Sequence, residues 1–144
     1  MIDYRTLAWD TVIFSHVDDD TGAQMHFAIT HALAWIKDHE SEVEKLLVGI
    51  EQGTAQMIFT CRGIEDHRLQ PLLTVADPDP MLFVLMPDDT HLLIDGSHRY
   101  VAAAMRKDPA RRGYVLTWEQ AQQFVIEGLP IMPKEAVVGE YSGL

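Results

Sequence analysis

The residues best able to do chemistry in this chain stand together at 95–99: Asp95, Gly96, Ser97, His98 and Arg99. They follow the apolar run Leu92-Leu93-Ile94 and precede Ala102-Ala103-Ala104, the pattern of a strand that turns directly into a helix. Amides at a helix N-terminus point outward without intrahelical partners, and the helix dipole there favours negative charge, so such a turn suits a phosphate. Gly96 lets the backbone come close to a ligand. His98 can add a hydrogen bond, and Arg99 a forked cationic contact, to phosphate oxygens. The same residues also support a purely architectural role. Asp95 or Ser97 then caps the helix, Gly96 makes the turn, and Arg99 pairs with a nearby carboxylate.

Charge narrows the partners. The chain has 22 acidic and 11 basic residues, a net of −11. An acidic surface repels phosphate backbones, so nucleic acid is not expected as a partner. Residues 1–61 hold 10 of the carboxylates against Arg5, Lys37 and Lys45, which suits that half to a basic protein partner. One basic island interrupts the pattern: Arg99, Arg106, Lys107, Arg111 and Arg112 against Asp108 alone. An anion site belongs near it, although Arg106 to Arg112 also read as a solvated helix end.

Other reactive groups are weaker candidates. Glu65 and Asp66 precede the Leu69-Gln70-Pro71 segment and, with Asp95, are the carboxylates that could bind magnesium or activate a hydroxyl. Seven histidines occur, with no His-x-x-x-His or Glu-x-x-His pair, so no metal site is expected. Asp18 to Gly22 has its glycine at the fifth position and no closing glutamate, which makes it a solvated turn and not a calcium loop. The single cysteine, Cys61, excludes an internal disulfide. No apolar run approaches the roughly 20 residues of a membrane helix, and the N-terminus has no signal-peptide pattern. Together these features predict a cytoplasmic protein.

The elements that must position the site alternate in type. The spacing predicts strands within 5–16, 69–75, 82–86, 91–95 and 114–116, and helices over 24–38, 41–52, 97–107 and 118–127. Thr117 and Gln120 have capping-box spacing, and Gly128 is a stop signal. Ala76 to Pro80 reads as a rigid turn, and 129–144 as a tail without periodicity. Ala102, Ala103 and Met105 should be at least partly buried, since small residues let a helix approach a sheet closely. At 144 residues this is one α+β domain with a small mixed sheet.

Ile94-Asp95-Gly96-Ser97-His98-Arg99-Tyr100, followed by Ala102-Ala103, resembles the signature of the ParB/sulfiredoxin-like superfamily. Leu69-Gln70-Pro71 resembles that family's "leucine, glutamine, proline, then strand" element. The resemblance covers about residues 40–128 and leaves 1–39 poorly covered. It implies a loop and helix start (Gly96, Ser97, His98, Arg99) that hold nucleotide phosphates, with ATP or CTP and magnesium as the ligands. NTP hydrolysis or phosphotransfer is the implied chemistry. Two departures restrict it. Sulfiredoxins carry their catalytic cysteine where this chain has Ser97, and partitioning proteins carry a paired arginine where it has His98. The alternative is a non-catalytic acidic interaction or inhibitor module, of a phage or mobile-element type, that keeps the fold without chemistry.

Overall fold

A computed structural model describes residues 1–18, 20–75 and 79–129. The chain forms β1 (Ile2–Asp3), β2 (Ile13–Val17), β3 (Gln24–Ala28), α1 (Ile29–Asp38), β4 (Glu44–Gly49), α2 (Gln52–Cys61), α3 (Asp66–Leu72), β5 (Met81–Leu85), β6 (His91–Asp95), α4 (Ser97–Met105), β7 (Ala110–Leu116), α5 (Trp118–Gln122) and β8 (Ile126–Glu127). Four strands make the main sheet in the order β4-β7-β5-β6. Only β5 and β7 run parallel within it, so the sheet is mixed. Two smaller pairs complete the set: β2 antiparallel to β3, and β1 parallel to β8.

The alternation of side chains along a strand divides the core in two. Leu82 and Val84 of β5, with Ile94 and Leu116, pack against α1, α5 and the β2–β3 pair. Met81 and Phe83, with Leu93 and Val115, pack against α2, α3 and α4. Helices therefore cover both faces at the β5–β6 side, while β4 extends beyond them with five of its six residues exposed. The β2–β3 pair carries Ser15 opposite His26, and their side chains share a 2.7 Å hydrogen bond inside the protein.

Several elements differ from what spacing predicts. Residues 24–28 are strand, and the helix starts only at Ile29, because Met25, His26 and Phe27 find cross-strand partners in β2. The stretch expected as a helix over 41–52 is a 3-10 turn and then β4, which pairs with β7 along its whole length. The expected strand over 69–75 is instead α3, with Pro71 in its last turn, where one missing N–H costs a single bond. Arg111 and Arg112 lie on β7, a strand of seven residues, and not at a helix end. The helix expected over 118–127 ends at Gln122, and the chain goes on to β8. Its capping box forms as the spacing predicts: the Gln120 N–H donates to Thr117 Oγ1, and the Thr117 N–H to Gln120 Oε1. The turn 18–22 is closed by the Asp18 carboxylate, which accepts from the N–H groups of Asp20 and Thr21. Asp19, 76–78 of the turn before β5, and the tail from 130 lie outside the described residues.

Candidate functional site

The strand-turn-helix unit forms as its sequence dictates: β6 ends at Asp95 and α4 begins at Ser97. Gly96 occupies the N-cap position at φ 106°, in the left-handed region. A Cβ there would lie 2.9 Å from Met81 Cγ, so both conformation and space require glycine. The N-cap residue is Gly96 itself, which brings no side chain to the helix start.

The helix start is covered by the protein's own side chains. Asp95, Ser97 and His98 are 1%, 1% and 3% exposed. Arg62, at the end of α2, donates to Ser97 Oγ at 3.3 Å and to the Leu93 carbonyl, and lies over the Phe14 ring. Arg99 donates from Nη1 to the Pro80 carbonyl at 2.7 Å, and its Nη2 stands 3.4 Å from Asp95 Oδ2. The architectural pairing of Arg99 with a carboxylate is thus present. It ties α4 to the chain just before β5.

His98 is held between two donors from the α3 side. The Glu65 backbone N–H donates to Nε2 at 3.1 Å, and Arg68 Nη2 lies 3.1 Å from Nδ1. A backbone N–H can only donate, so Nε2 keeps its lone pair and the ring proton sits on Nδ1, facing Arg68. Two donors then meet, and a second proton on the ring has no acceptor to go to. Burial first, and the Arg68 charge second, push the His98 pKa down to about 4. The imidazole is therefore neutral at pH 7. Arg68 is itself anchored by Glu65 Oε1 at 3.2 Å, and its buried Nε has no acceptor among the described residues.

Of the four residues expected to hold phosphate, Arg99 lines a cavity. It shares this cavity of about 100 Å³ with Leu47, Asp79, Met81, Ala110, Arg111 and Arg112. The cavity sits where the end of β4 meets the starts of β5 and β7, which is where the antiparallel register brings Gly49 beside Ala110. Two separate parts of the basic island thus come together: Arg99 from α4, and Arg111 and Arg112 from β7. Asp108 orients Arg111 through Nε at 3.0 Å and Nη2 at 2.6 Å. A volume of this size holds about three waters and falls well below the roughly 300 Å³ of small-molecule pockets. It fits a single oxyanion and does not enclose a base or a ribose.

The carboxylates singled out from sequence do not line this cavity. Asp95 is buried behind Arg99. Glu65 is half exposed beside Arg68 and His67, and Asp66 accepts from the Gln70 side chain on the α3 surface. Asp79 is the carboxylate at the cavity. Its neighbours Pro78 and Pro80 mark a turn in sequence but give no sign of a ligand. Arg62 and Arg68, which close over the helix start, carry no local signal either, because their partners lie about 30 residues away. Cys61 is exposed at the end of α2, and among the described residues no three His, Cys, Asp or Glu side chains gather as metal ligands. No helix of the described residues is long and apolar enough to cross a membrane. No family model, curated protein or solved structure matches the chain.

Proposed function

We propose that the protein binds a phosphate group in the Arg99–Arg111–Arg112 cavity, as the phosphate end of a nucleotide such as ATP or CTP. The observation that carries this reading is that three arginines, one from α4 and two from β7, line one oxyanion-sized cavity. Planar, forked donors are the side chains best suited to phosphate oxygens. The α+β mixed sheet and the β6-Gly96-α4 turn fit the ParB/sulfiredoxin-like resemblance, in which the same turn serves nucleotide phosphates. In this chain the site is shifted from the helix-start amides to the guanidinium groups, because Arg62, Glu65 and Arg68 cover Ser97 and His98. The base and ribose would lie outside the cavity, with Asp79 the carboxylate nearest a phosphate-bound magnesium. The reading is one of binding, and it assigns no general base.

Thermal melts with inorganic phosphate, pyrophosphate, ATP, CTP, GTP and ADP, each with and without magnesium, test it. A ligand at 100 times its Kd stabilises the fold by about 2.7 kcal/mol. For a domain of this size that is roughly 5–10 °C in Tm. Arg112→Ala, on the exposed side of the cavity, should abolish the shift while leaving the unliganded Tm near wild type. Equal shifts in wild type and variant would refute the site.

A second reading, a non-catalytic interaction module, is favoured by one apolar feature. Phe59 and Met105 are 55% and 54% exposed along a groove between α2 and α4, and such patches mark binding surfaces. Met105 was expected to be at least partly buried with Ala102 and Ala103. Those two are buried, but Met105 closes the helix and faces the groove. If no phosphate compound shifts the Tm, and Phe59→Ser abolishes capture of a partner that Arg112→Ala retains, this second reading replaces the first.

A further inference from the structure

We propose that two copies of this chain pair through β4, antiparallel and centred on Leu47, joining their main sheets edge to edge. The two edges of the sheet are built differently. At β6 the outer carbonyl of Leu93 accepts from Arg62, and the last three residues of the strand are buried. That edge is closed. At β4, Glu44 to Leu47 and Gly49 are exposed, and Leu47 is 74% exposed. The strand pairs with β7 over six residues without a register shift, so no bulge turns its outer side away. It has no proline, and its one lysine, Lys45, is drawn to Glu40 at 3.0 Å. Among the described residues, only β7 hydrogen-bonds to the backbone from Glu44 to Val48. A regular apolar edge of this kind is a template for another strand.

Strand geometry limits the registers open to a second copy. Opposite residues in an antiparallel pair share a face, so a two-fold axis normal to the sheet must pass through a residue and not between two. Centred on Lys45, the pairing sets lysine against lysine. Centred on Leu46, it sets Lys45 against Leu47 and Glu44 against Val48. Centred on Val48, it sets the exposed Leu47 against Gly49, without an apolar partner. Centred on Leu47, it sets Leu47 against itself, Leu46 against Val48, and Lys45 against Gly49. Apolar then meets apolar on both faces, and no like charges stand opposite. The pairing itself rests on strand geometry and stands whether or not the cavity takes phosphate.

Sedimentation equilibrium of the full chain over a wide concentration range tests the pairing, with Leu47→Lys, Leu47→Glu and an equimolar mixture of the two. Leu47 is exposed, so both variants should fold, as melting curves will check. The wild type should be dimeric and each variant alone monomeric, because like charges then meet on the axis. The mixture should return to dimer, because lysine then meets glutamate. A wild type that is monomeric throughout, a dimer that survives both variants, or a mixture that stays monomeric would each overturn the proposal.

Discussion

Acidification should destabilise the fold through His98 by a predictable amount. Its pKa lies at about 4 in the folded protein and at the ordinary 6.5 when unfolded. The unfolded chain therefore takes up the proton first. Stability is unaffected by this group above pH 6.5, falls between 6.5 and 4, and levels off below 4. The gap of about 2.5 units corresponds to roughly 3 kcal/mol, with a limiting slope near 1.4 kcal/mol per pH unit. That is a large part of the stability of a small domain. The cause is geometric: Nδ1 already carries its proton towards Arg68, so the second proton must go on Nε2 and break the bond from the Glu65 amide. Urea unfolding at closely spaced pH values between 7.5 and 4.5 measures the slope. His98→Gln supplies an acceptor to the Glu65 N–H and cannot titrate, so its profile should be flatter by about one proton. His26, also held neutral by burial, contributes in the same direction to both proteins and cancels in the difference. Parallel profiles for wild type and His98→Gln would show that His98 titrates normally and would refute the donor-donor account.

Arg99→Ala should lower stability by about 3–5 kcal/mol, because it leaves the buried Asp95 carboxylate without its ion-pair partner. Arg99→Lys should recover only part of this, since one ammonium cannot reproduce the fork between Pro80 and Asp95. Calorimetry of both variants with and without phosphate gives the stability and the ligand response together, and an unchanged response would remove Arg99 from the site. Gly96→Ala should cost about 1–3 kcal/mol in a thermal melt, because the residue sits at φ 106° against Met81. Cys61→Ser should change stability by no more than about 0.5 kcal/mol and leave the phosphate-induced shift intact, as the thiol is exposed. A lost ligand response at unchanged Tm would give Cys61 a role that its position does not suggest.

What the sequence determined was local. The run Leu92 to Ile94, the glycine after Asp95 and the alanines behind Arg99 specify β6, the turn and α4 with few alternatives, because each residue's preference agrees with its neighbours. Thr117 and Gln120 likewise specify the start of α5, since the capping box is closed within four residues. The tertiary structure decided the rest. Val43, Leu46, Leu47 and Ile50 have helical spacing, yet the segment is strand because its backbone finds β7, more than 60 residues away. The basic island was visible as composition, but its meeting at a cavity required Arg111 and Arg112 to lie on a strand whose start adjoins that of β5, within reach of Arg99. The helix start, open by local rules, was closed by Arg62 and Arg68 from α2 and α3. Propensity and capping act over one or two turns of chain, whereas strand pairing and charge burial depend on partners that only the folded chain brings near.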